Sequence, residues 1–116
     1  MKVYGVSQSS GVERRLYVER GAEGIVLVIN DHDGNKERQR ILVQADDLLH
    51  TITNPTPGGC TLEGVSPVHG WKMLLQVEIR RNEVWLKAGP TSGEATDVAV
   101  GLDDFQDALE GAISRA

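Results

Sequence analysis

GVSQSSG spans Gly5 to Gly11, and GVSPVHG spans Gly64 to Gly70. Two glycine-bounded heptads sharing Gly-Val-Ser and a closing Gly are either a chance echo or two copies of one unit. The choice decides how every other residue is read, because an internal repeat takes precedence over element-by-element assignment. Offset by 59 positions, the chain keeps the heptads in register and brings Leu16 onto Leu75, Val18 onto Val77, Glu19 onto Glu78, Ile25 onto Val84 and Leu27 onto Leu86. Closing a two-residue gap in the next loop changes the offset to 57. Ile41 then meets Val98, Val43 meets Val100, Asp46-Asp47 meets Asp103-Asp104, Leu48 meets Phe105 and Ile52 meets Leu109. Agreement concentrated at alternating apolar positions, with one indel in a surface loop, is the mark of a duplication.

Within each copy, apolar residues recur at every second position between glycine or polar breaks, which predicts strands. The first copy reads as strands near Lys2 to Gln8, Val12 to Arg20, Gly24 to Asn30 and Glu37 to Gln44. The second reads as strands at Thr61 to Pro67, Trp71 to Arg80, Glu83 to Ala88 and Thr96 to Gly101. Asp33-Gly34 and Arg81-Asn82 suit tight turns, with Gly34 and Asn82 as the residues that accept positive φ. Short connections make the neighbours antiparallel.

After the fourth strand the period lengthens. Phe105, Ala108, Leu109, Ala112 and Ile113 follow helical spacing, with Asp103 and Asp104 where the helix dipole favours negative charge. This predicts a helix from Asp103 to Ser114. A matching helix starts near Asp46-Asp47 and stops before Pro55, which cannot continue the hydrogen-bond ladder. The expected fold is α+β: a tandem β-β-β-β-α duplication forming two antiparallel four-stranded sheets and two helices in a pseudo-dimer. One domain covers 1–116, with units 1–54 and 61–116 joined by a linker at 55–60.

The 116 residues, 40% hydrophobic and 25% charged, suffice for one domain with an apolar core. No run approaches the roughly 20 apolar residues of a membrane helix, and the N-terminus lacks the apolar stretch of a signal peptide. A cytoplasmic protein without membrane partners is therefore expected. Cys60 is the sole cysteine, which rules out an intrachain disulfide and a thiolate zinc cluster. The net charge of −5 disfavours a nucleic-acid partner at first sight. However, Asp97, Asp103, Asp104, Asp107 and Glu110 crowd a stretch without Lys or Arg. Setting those five of the 17 acids aside leaves 12, against 12 bases in the whole chain.

A four-stranded meander followed by a helix, present twice, resembles the fold shared by transcriptional positive cofactor four and the plant Whirly proteins. The chain is similar to a small bacterial member carrying both motifs in one polypeptide. The resemblance rests on topology over nearly the whole chain. The Lys-Gly-Lys signature of the Whirly branch and the serine-rich basic tail of the cofactor are both missing. It implies single-stranded DNA or RNA as ligand, the sheet as ligand surface, and helices that cross to the partner half.

With Leu16, Val18, Leu75 and Val77 facing the helices, alternation sends Arg15, Tyr17, Arg38 and Arg40 of one unit, and Lys72, Trp85 and Lys87 of the other, to the second face. Bases stack on aromatic rings while cations follow phosphates, so this mixture suits a single strand. Lys36 joins the set through the basic stretch Gly34 to Arg40, whose counterpart Gly89 to Glu94 has no base. The candidate nucleic-acid-binding residues are thus Arg15, Tyr17, Lys36, Arg38, Arg40, Lys72, Trp85 and Lys87. Glu19, Glu78 and Asp97 on the same face oppose phosphate. The other reading is an interaction module whose apolar face residues meet a protein partner or a second copy.

No phosphate-cradling loop or nucleophile elbow is present, and neither catalytic residues nor a cofactor are expected. Asp31-His32-Asp33-Gly34 lacks the further oxygen ligands of a calcium loop and reads as a polar turn. The paired aspartates at the helix starts are explained by the dipole.

Overall fold

A computed structural model describes residues 1–31 and 36–114. Eight strands, β1 (Lys2–Val6), β2 (Glu13–Arg20), β3 (Ile25–Asp31), β4 (Glu37–Val43), β5 (Cys60–Val65), β6 (Lys72–Arg80), β7 (Glu83–Pro90) and β8 (Thr96–Gly101), run in sequence order. Helix α1 (Ala45–Thr53) follows β4, and α2 (Leu102–Ser114) follows β8. Every neighbouring pair is antiparallel, and β1 also pairs with β8, so the strands close into one barrel.

This closure corrects the expectation of two separate four-stranded sheets in a pseudo-dimer. The α+β content and antiparallel pairing hold, but each unit's first strand completes the other unit's last. Val6 pairs with Ala99 at one seam and Leu42 with Val65 at the other. The two pairs are equivalent under the sequence offsets. Closing the sheet removes the exposed strand edges that two open meanders would leave.

The glycines that open the two heptads explain how the seams form. A Cβ on Gly5 would lie 2.5 Å from the Ala99 carbonyl oxygen, and one on Gly64 would lie 2.6 Å from that of Leu42. Only a bare Cα permits such approach. The closing glycines, Gly11 and Gly70, take φ of +74° and +79°. Both turns carry the same bonds. Ser7 N–H donates to the Val12 carbonyl and Gly11 N–H to that of Ser7, while Ser66 N–H donates to Trp71 and Gly70 N–H to Ser66.

Rows of inward side chains, Val3–Leu16–Ile29 in one unit and Leu62–Leu75–Ala88 in the other, fill the barrel. β4 packs across the interior against β7. Each seam joins the heptad end of one unit's first strand to the other unit's last strand, two or three residues before that unit's helix begins. Leu48 and Ile52 of α1 and Phe105, Leu109 and Ala112 of α2 join the core. Leu102 N–H donates to the Asn82 carbonyl, and the Arg20 guanidinium donates to that of Ile113, so α2 reaches from the β6–β7 turn to β2 of the other unit.

Two local expectations change. In the β6–β7 turn the left-handed residue is Arg81, at φ 56°, rather than Asn82. A register shift between Ile29 and Asn30 breaks the alternation of β4 and brings Arg38 to Asp31. The expected Asp33-Gly34 turn and His32 lie outside the described residues. Asp46-Asp47 and Asp103-Asp104 stand in the first turns of the helices, as the dipole argument requires.

Candidate nucleic-acid interface

Outward residues of the first unit form two rows across the strands. Tyr4, Arg15 and Asn30 are register partners, and beside them run Lys2, Tyr17, Val28 and Arg40. Tyr4 is 63% exposed. Lys2 Nζ stands 5.3 Å from its ring centroid and the Arg15 guanidinium carbon 5.8 Å, both within cation–π reach. Arg15 Nε and Asn30 Oδ1 are buried atoms without a hydrogen-bond partner. Buried polar groups are seldom left so.

Of the eight residues expected from the sequence, Arg15 and Tyr17 lie together on β2. Arg40 reaches the same row but is held by Glu37 at 2.7 Å, and Arg38 by Asp31 at 2.9 Å. Each carboxylate's hydrogen bond raises the pKa of its arginine, and Arg38 in turn lowers that of Asp31. Lys36 is exposed just before β4. Lys72 pairs with Glu63 at 2.8 Å.

Trp85 and Lys87 are on β7, and Lys72 on β6, around the barrel from β2, so closure divides the eight between two sides. Arg80 lies 3.9 Å from the Trp85 ring centroid and binds Glu78 at 2.6 Å, which lowers the Glu78 pKa. The face that remains is Lys2, Tyr4, Arg15 and Tyr17. Lys2 and Tyr4 were missing from the expected set, although their alternation with buried Val3 already marks them as outward-facing.

Asp97, an expected opponent of phosphate, is a structural anchor. It accepts from the Ser7 and Ser9 hydroxyls at 2.8 Å, from the Gln8 N–H at 2.9 Å and from the Ser9 N–H at 3.2 Å. Arg14 adds a bond to the Asp97 carbonyl at 2.7 Å and an ion pair at 3.4 Å. Burial pushes the carboxyl pKa upward, but the bonds from Ser9, Ser7 and Gln8 outweigh it and leave the pKa below the ordinary value. Among the described residues no three His, Cys, Asp or Glu side chains gather as a metal site. No described helix is long and apolar enough to cross a membrane.

No family model matches the chain, and neither a curated protein nor a solved structure matches it.

Proposed function

We propose that this chain is a non-enzymatic, cytoplasmic protein that binds single-stranded DNA or RNA on the outer face of β1 and β2. The observation that carries the reading is the exposed Tyr4 ring with two cations, Lys2 and Arg15, at 5.3 and 5.8 Å from its centroid, neither of which has a carboxylate partner among the described residues. A base stacked on Tyr4 gains roughly 1–3 kcal/mol, and the cations meet the flanking phosphates. Tyr17, beside Lys2, offers a second ring. Arg40 joins if phosphate displaces Glu37, since an exposed ion pair holds by only about 0–1 kcal/mol.

Fluorescence anisotropy with labelled single-stranded oligonucleotides at low salt tests this reading. Two or three neutralised phosphates give a slope of log affinity against log salt of about −1.4 to −2.1. Tyr4→Ala weakens binding about 5- to 160-fold through lost stacking, and Trp85→Ala leaves it unchanged. Absence of binding at high micromolar protein, or full affinity in an Arg15→Ala/Tyr4→Ala variant, rejects the reading.

A second reading is contact with a protein partner or a second copy at the β5–β6 turn. Val68 is 69% and Trp71 54% exposed there, and Trp71 stacks on His69 at 4.2 Å. Exposed apolar clusters mark interfaces. It predicts a concentration-dependent dimer by light scattering, or a co-purifying partner, that Trp71→Ser abolishes.

A further inference from the structure

Around the barrel from the Tyr4 face, Thr61, Gln76, Lys87 and Asp97 form one row across β5 to β8. They hold the positions that Lys2, Tyr17, Val28 and Arg40 hold in the first unit. A groove of about 630 Å³ lies over this row, within the range of small-molecule sites.

Both walls are fixed by the fold. One is the linker at Gly58 and Gly59, where Gly59 takes φ +86° and a Cβ would stand 2.7 Å from the Val77 carbonyl oxygen. The other is the Gln8–Ser9 turn, tied down by Asp97. Trp85 lines the groove too, its indole steadied by Arg80.

The charges of the groove resolve simply. Asp97 is met by Arg14 and four hydrogen bonds, and Glu78 by Arg80. Lys87 has no carboxylate partner among the described residues, and the side chains of Gln8, Thr61 and Gln76 make no hydrogen bond to them. That leaves Lys87 as the unpaired charge of the lining, beside the Asp97 and Glu78 carboxylates that Arg14 and Arg80 already meet, with neutral hydrogen-bonding groups and one aromatic ring in reach.

We infer that this groove binds a small, hydroxyl-rich monoanion of the acidic-sugar class. Lys87 takes the ligand's carboxylate, Gln76, Thr61 and Gln8 take its hydroxyls, and Trp85 flanks its ring. A single unpaired cation matches a single negative charge. A phosphate dianion would bring a second negative charge for which the described lining holds no further cation.

Trp85 fluorescence tests this in a Trp71→Phe background, a substitution at an exposed site that leaves Trp85 as the only indole. Glucuronate produces a saturable change in the millimolar range, while glucose, which lacks the charge, and acetate, which lacks the hydroxyls, bind at least about tenfold more weakly. Lys87→Met abolishes the glucuronate response and leaves the unfolding transition in place. The assignment is overturned if glucuronate gives no saturable change, if glucose or acetate matches it, or if Lys87→Met retains it. Because Tyr4 does not line the groove, loss of oligonucleotide binding in Tyr4→Ala does not bear on it.

Discussion

Asp97 and Arg40 occupy the same place in the two copies with opposite charge, and their surroundings account for the difference. In the first heptad the N–H groups of Gln8 and Ser9 need an acceptor, and Asp97 supplies it. In the second heptad the matching residues are Pro67 and Val68; Pro67 has no N–H that needs an acceptor, so the position tolerates a donor, and Arg40 gives its hydrogen bonds to Glu37. Replacing Asp97 with Asn therefore costs about 1–2 kcal/mol at neutral pH in urea unfolding. The native pKa of Asp97 lies below its unfolded value of about 3.9, so the carboxylate's contribution is complete above that pH. It is lost as pH falls through the lowered native value. The gap between parent and variant thus narrows as pH falls below about 4, and a gap that stays constant into the acid range would count against the anchor. Nothing in the spacing of the sequence foretold this partnership, because Ser7 and Asp97 are brought together only by the β1–β8 seam.

Strands and helices were legible in the sequence because each buries one face and so writes its own period. Inward positions such as Leu16, Val18, Leu75 and Val77 fall where alternation places them, and Phe105, Ala108, Leu109 and Ala112 form the buried stripe of α2. Closure was harder to see, because period-two patterning reports faces and not edges. Its trace was the repeated glycine inside a strand, Gly5 and Gly64, which marks close approach of another backbone. Gly64→Ala forces a methyl group against the Leu42 carbonyl and the Ile41 side chain and costs about 1–3 kcal/mol or more. Gly70→Ala meets no neighbour and costs only the roughly 1–2 kcal/mol of a left-handed alanine. Thermal unfolding that ranks Gly70→Ala as clearly the worse contradicts the seam. In the β6–β7 turn, Arg81 bears the left-handed cost itself, so Arg81→Gly raises stability by about 0.5–1 kcal/mol after the unfolded-state entropy of glycine is counted. Asn82 looked the better candidate from propensity, but the two-residue turn between Arg80 and Glu83 puts positive φ at its first position.

At the scale of the whole molecule, two four-stranded meanders close into one barrel, and their outer faces differ. The first unit keeps Lys2, Tyr4, Arg15 and Tyr17, while the equivalent positions of the second hold Thr61, Glu63, Leu74 and Gln76. Alternation alone puts Arg15 and Tyr17 of the proposed face on the outer side of β2. It does not show where Trp85 and Lys87 stand relative to them, because a barrel turns the two units' outer faces away from each other. The central functional claim is that a single strand of nucleic acid lies on the β1–β2 face. Titrating the ¹⁵N-labelled protein with a short unlabelled single-stranded oligonucleotide tests it most directly. Saturable amide shifts confined to residues 2–6 and 13–19 and their β3 neighbours are predicted. Shifts centred on Trp85 and Lys87, or none at all at millimolar oligonucleotide, would contradict it.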